Sequence, residues 1–234
     1  MRKYTYLLVH DIRNAARNPM FILIGLGPLL LVAVMRYVLP HFASWLASYT
    51  GFDFYVYIDF ISILTLLLIP QLIGIGVGLF MLDERDERLI DYYAVTPLRK
   101  QGYYMYRLFL PVLITLLVSL LYQAEHWPVL ILLAVEAPIY ALFLVAFAAN
   151  KVEGLALSKL VGLLLIGAIC AYFVPERWQW LAAPLPTYWP SRLYVSGFGH
   201  GQDFVLSSGA FVLGLIFHLY LLYKLFVRCF HRVE

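Results

Sequence analysis

Asp83, Glu84, Asp86 and Glu87 place four carboxylates within five consecutive residues, with Arg85 and Arg88 between and after them. Clustered carboxylate oxygens suit hard cations, so Asp83-x-x-Asp86 with Glu84 and Glu87 is a candidate seat for Mg²⁺ and a diphosphate. That chemistry commonly needs a second acidic cluster facing the first. The other charged loop, 150–159, offers only Glu153, and Arg85 and Arg88 neutralise much of the first cluster. The mechanical alternative is a short helix. Carboxylates at a helix N-terminus meet its dipole favourably, Leu89, Tyr92, Tyr93 and Val95 supply an apolar side, and Pro97 ends the run. Such a helix docks into a groove on a partner. The plainest alternative is a solvated charged loop that sets topology.

Glu136 is the second candidate. It lies eight residues or so into a long apolar run, about 12 Å deep at roughly 1.5 Å per residue. An ionisable group at that depth must be paired, hydrated or protonated. With Tyr140 on its face and Gln71 as a possible partner, it suits contact with a cationic substrate, a proton relay, or a hydrogen-bonded structural role. Lys151, Glu153 and Lys159 form a second charged group, either a further partner contact or topology-setting charge. Gly74, Gly76 and Gly78 sit inside an apolar run with no preceding strand, which favours close helix packing over nucleotide binding. The six histidines are scattered, and His218 reads as a helix-packing residue. Ser207, Ser208 and His218 lack a nucleophile elbow. Cys170 and Cys229 differ too much in expected depth to pair.

These residues sit in a chain that is 63% hydrophobic and 13% charged, against roughly 25% charged in soluble domains. Its apolar runs exceed the roughly 20 residues that cross a bilayer. The expected fold is an all-α polytopic membrane protein, a single domain over 1–234 with six spans at 20–39, 58–82, 104–122, 128–149, 155–174 and 204–227. Residues 2–17 form an amphipathic interfacial helix, with Tyr4, Leu7, Leu8 and Ile12 at helical spacing and basic residues elsewhere. Segment 40–57 is an aromatic interfacial connection, 123–127 a tight turn, and 175–203, rich in Pro and Trp, an interfacial or re-entrant set of short broken helices. No G-x-x-x-x-G-K-[ST] occurs, so an ATP-driven process needs a separate ATPase. With the N-terminus inside, Arg36, Arg177 and Arg192 alone of 17 Lys and Arg fall outside. Both termini and the segment 83–98 are therefore expected in the cytoplasm.

Glu84-Arg85, Leu89-Ile90 and Thr96-Pro97-Leu98 resemble the loop after the second span of ABC-2 type permeases, and residues 149–159 resemble the loop between spans four and five in the branch that includes fluoroquinolone exporters. A Gly is common in that family where Glu87 stands here. The resemblance implies an elbow helix at 2–17 and a coupling helix at 83–98, in which Glu84, Arg85, Glu87, Arg88, Leu89, Tyr92, Thr96 and Pro97 contact an ABC ATPase. Lys151, Glu153 and Lys159 form a second contact, and Glu136, Tyr140 and Gln71 are pathway candidates. It further implies a homodimer or heterodimer in the bacterial plasma membrane. ATP and Mg²⁺ sit on the partner; this chain binds no cofactor or metal, and its surroundings are lipid rather than nucleic acid. The expected cargo is a hydrophobic or amphipathic drug, lipid or peptide, moved outward because no docking site for an external binding protein is evident. The rivals are a Mg²⁺-dependent intramembrane enzyme of prenyltransferase type on Asp83 and Asp86, and an ion-coupled secondary transporter using Glu136.

Overall fold

The computed structural model of the chain describes residues 19–90, 99–197 and 204–232. The interfacial helix expected over 2–17 lies outside the described residues, as do residues 91–98 of the charged segment, among them Tyr92, Thr96 and Pro97. Every regular element among the described residues is helical. Helix α1 (Pro19–Ala33) passes through a π-helical turn, Val34–Val38, into α2 (Leu39–Thr50). A 3₁₀ turn, Phe54–Tyr57, leads to α3 (Ile58–Asp86), followed by α4 (Arg99–Tyr122) and α5 (Trp127–Phe147). Then come α6 (Lys151–Leu163), α7 (Ile166–Phe173), α8 (Glu176–Gln179), α9 (Tyr188–Ser196) and α10 (Phe204–Arg232). Six stretches are long and apolar enough to cross a membrane: Gly25–Thr50, Phe54–Asp86, Lys100–Tyr122, Ala124–Phe147, Lys151–Phe173 and Ser207–Phe230.

Three boundaries differ from the sequence reading. Segment 40–57, expected as an aromatic connection, is largely helical: α2 carries the first span to Thr50 and stops where Gly51 turns left-handed at φ 72°. The second span does not end at residue 82 but runs on to Asp86. The fifth is divided between α6 and α7 by a turn at Leu164 and Leu165. The tight turn expected at 123–127 is present as a 3₁₀ turn, Ala124–His126.

Helix α5 is the hub. Its sequence, WPVLILLAVEAPIYALFLVAF, is apolar on every face apart from Glu136, the pattern of a helix enclosed on every side. Its side chains pack with those of α3, α4 and α10 in one buried core. The α3–α5 contact depends on small residues. A Cβ at Gly74 would overlap the Ala137 carbonyl and the Tyr140 Cβ, and one at Gly78 would come within 3.0 Å of Ala141. The glycines therefore serve close packing. Pro28, Pro70, Pro111 and Pro138 all lie inside helices.

Segment 175–197 folds back among the spans. Tyr188, Trp189 and Leu193 of α9 are buried. Thr187 Oγ1 donates to the Leu164 carbonyl at the break between α6 and α7. Gly167 and Gly214 leave the room that Thr187 and Trp189 occupy. At the π-helical turn, Arg36 Nη1 donates to the Leu121 carbonyl (2.8 Å) in the last turn of α4.

Candidate functional site

Asp83, Glu84 and Asp86 stand at the C-terminal end of α3, not at the helix N-terminus the sequence suggested. Carboxylates there oppose the helix dipole, so each needs a compensating partner, and the partners come from α4 and α6. Glu84 is buried against Arg107 of α4, with 4% and 3% of the two residues exposed. Arg107 Nε donates to Glu84 Oε2 (3.0 Å), Arg107 Nη2 donates to Oε1, and the Tyr103 hydroxyl donates to Oε2 (2.6 Å). The guanidinium lies 4.6 Å from the Phe80 ring centroid. Asp83 Oδ2 pairs with Lys151 Nζ at 3.0 Å, and Asp86 Oδ2 accepts the Lys151 backbone N–H at 3.0 Å. Arg85 points the other way and donates to the Val145 (3.1 Å) and Ala148 (2.7 Å) carbonyls, which α5 leaves unsatisfied at its C-terminus.

The loop that receives these contacts is itself braced. Asn150 Oδ1 accepts the Glu153 N–H (2.9 Å) and Glu153 Oε2 accepts the Ala149 N–H (2.6 Å), a reciprocal cap at the start of α6. The two charged groups inferred separately from sequence are thus one joint linking α3, α4, α5 and α6. Beyond it, Glu87 and Arg88 are exposed. Arg88 adopts a left-handed φ of 59° and its N–H donates to the Arg85 carbonyl (3.0 Å), turning the chain out of the helix. Leu89 is half-buried, and Lys159 is exposed on α6.

A second cluster lies inside the bundle. Glu136 Oε2 accepts from the Tyr140 hydroxyl at 3.0 Å, and Oε1 faces His218 Nε2 at 3.3 Å. His218 Nδ1 contacts the Gly214 carbonyl at 2.6 Å. Gln71 donates to the Val161 carbonyl at 3.2 Å and its side chain neighbours the Tyr140 hydroxyl. Glu136 and His218 have no solvent exposure. This network crosses α3, α5, α6 and α10 at the depth where a lone charge is least tolerable.

The structure therefore divides the expected coupling residues. Glu84 is interior and Arg85 half-buried, so neither presents a free contact face; both are anchors beneath the exposed Glu87 and Arg88. Tyr140 meets Glu136, whereas the partner expected in Gln71 is His218 instead, Gln71 donating to the Val161 carbonyl. Arg107, Tyr103 and His218 are additions that sequence reasoning did not assign to either site. Arg107 had a signal, since a basic residue inside the span 104–122 requires a counter-ion. No group of three or more metal-ligating side chains is found among the described residues.

Six long apolar helical stretches, one of them enclosed by the others, define a multi-pass membrane protein. The chain belongs to the Rv2686c-like family of fluoroquinolones export permease proteins, whose profile matches residues 11–226. It is 25% identical over 232 residues to the fluoroquinolones export permease proteins MT2760 and Rv2686c of Mycobacterium tuberculosis strains CDC 1551 and H37Rv, covering 94% of this chain and 90% of each relative. No solved structure matches it. Family membership places the chain among transport permeases rather than enzymes.

Proposed function

We propose that this chain is the membrane subunit of an ATP-driven exporter that moves a hydrophobic or amphipathic molecule across a bacterial plasma membrane. Both termini and the segment 83–98 lie in the cytoplasm. A separate ABC ATPase, which holds ATP and Mg²⁺, contacts the exposed surface beginning at Glu87 and Arg88 and continuing through Leu89, Tyr92, Thr96 and Pro97, with Lys159 nearby. The observation that carries this reading is the joint at the end of α3. Force applied at Glu87 reaches α4 through Glu84–Arg107, α5 through Arg85, and α6 through Lys151. A flexible charged loop that only set topology would need none of these links.

A second permease copy, or a similar subunit, completes the pathway against the sparsely covered first and fifth spans, whose most apolar windows are 11% and 28% buried. Gln71, Tyr140 and Glu136 are sealed in the conformation described and enter the pathway when the bundle opens. The test is a mild-detergent pull-down of the tagged chain from its native membrane, with partners identified by mass spectrometry. Wild type is expected to bring down a P-loop ATPase. The Glu87→Ala, Arg88→Ala double variant, which leaves the Glu84 and Arg85 anchors intact, is expected to recover less. Absence of an ATPase from both samples overturns the proposal.

A further inference from the structure

At the end of the bundle opposite the charged joint, α8, α9 and the start of α10 enclose a cavity of about 360 Å³. That volume is in the range of small-molecule sites. Trp180 and Trp189 form an aromatic wall, with ring centroids 6.5 Å apart at 72°. Gly209 and Leu213 line the other side, and a Cβ at Gly209 would meet nothing within 4 Å. Arg192 and Glu176 supply the charge at its edge.

Arg192 is held asymmetrically. Its Nη1 donates at 2.6 Å to Oε1 of the buried Gln179, whose Nε2 is tied to the Ala171 (3.2 Å) and Val174 (2.7 Å) carbonyls. Its Nη2 donates at 2.9 Å to Glu176 Oε1, on a side chain that is 80% exposed. One arm of the guanidinium is therefore fixed from within the fold. The other is occupied by a solvent-facing carboxylate, a pairing that contributes little to stability. A guanidinium fork suits carboxylate and phosphate alike. The Tyr188 phenol is neutral near pH 7 at its ordinary pKa of about 10, and burial raises it further, so the lining adds no competing negative charge from that group.

We propose that this cavity binds an acidic amphiphile, a carboxylate or phosphate joined to an apolar or aromatic body. The acid replaces Glu176 on Arg192, and the body lies between the tryptophans and the small-residue face of α10. Two sources share that chemistry: an anionic lipid of the surrounding leaflet, and a carboxylate-bearing aromatic small molecule. The site stands whether or not the chain works with an ATPase.

Equilibrium dialysis of the purified full chain in detergent tests it. The probes are norfloxacin, an aromatic carboxylate, with its methyl ester as control, and short-chain phosphatidylglycerol, with phosphatidylcholine of equal chain length as control. At least one acid is expected to bind saturably and its control much more weakly. Arg192→Gln is expected to weaken that binding by about tenfold or more, the loss of one charge-assisted contact. Gly209→Phe should remove it by filling the space. Glu176→Gln, at an exposed position that leaves the fold intact, should tighten it, because a competitor for Arg192 has gone; a merely structural brace predicts no gain. Binding by phosphatidylglycerol alone assigns the site to lipid, and by norfloxacin alone to a small molecule. No saturable acid binding, or binding indifferent to both Arg192→Gln and Glu176→Gln, overturns the proposal.

Discussion

His218 makes its contact with the Gly214 carbonyl through Nδ1, and a carbonyl oxygen only accepts, so Nδ1 carries a hydrogen. Nε2 must then either accept a proton shared from Glu136 or hold one as imidazolium against a carboxylate. Both arrangements contain the same number of protons and are neutral overall, which is why the pair is tolerated with no solvent contact. Glu136→Gln keeps a donor for Nε2 and an acceptor for Tyr140, and is expected to change stability by no more than about 1 kcal/mol. His218→Leu strands a buried carboxyl and should cost about 3–5 kcal/mol. The same contrast applies at the charged joint, where Arg107→Leu should cost about 3–5 kcal/mol and Tyr103→Phe about 1 kcal/mol. Unfolding of the four variants in mixed micelles checks all of these values. Equal losses for Glu136→Gln and His218→Leu would exclude the shared-proton description. The sequence marks Glu136 as a residue in need of a partner, yet His218 is 82 positions away, and only the crossing of α5 and α10 brings the two to one depth.

At the scale of elements, hydropathy located all six spans because the bilayer sets their length and apolar content. Their ends were less legible. A run of charge normally stops a span, but α3 continues to Asp86 because Arg107 and Lys151, distant in sequence, compensate its last turn. Segment 40–57 reads as an interfacial connection from its aromatics, whereas residues 40–50 belong to a helix whose side chains are mostly exposed. The α3–α5 seam supplies a prediction at this scale. Gly74→Ala should push the two helices apart and lower the unfolding midpoint, while Gly162→Ala, where a Cβ meets no atom within 4 Å, should be neutral or slightly stabilising. Arg88 supplies another. A non-glycine residue in the left-handed region costs roughly 1–2 kcal/mol, so Arg88→Gly is expected to stabilise the purified chain while weakening recovery of the ATPase. A variant that loses both stability and partner would show that the turn, rather than the side chain, matters.

For the whole molecule, coverage is uneven. The fourth span is enclosed, whereas the most apolar windows of the first and sixth spans are only 11% and 17% buried. Lipid accommodates part of that surface, and the proposed dimer covers the first and fifth spans, both of which pack on the second. Cys170, half-buried on α7, reports on this directly. On a Cys229→Ser background, a short bifunctional thiol reagent added to native membranes is expected to join two copies through Cys170. Persistent monomer would place the fifth span away from any such interface. Overall class was legible because charge is so sparse, whereas the links of the charged joint and the Glu136–His218 pair were not, because they join residues from different spans.

The π-helical turn at Val34–Val38 acts as a rotational joint in the first span. It holds an extra residue relative to α-helical winding, so the faces of α1 and α2 are out of phase by about 100°, the rotation of one residue. Removal of a single residue there would swing the aromatic row of Phe42, Trp45 and Tyr49 around the axis and withdraw Arg36 from the Leu121 carbonyl. A one-residue deletion or insertion at this point is thus a way for such a chain to change which neighbour its first span addresses without altering the five spans that follow.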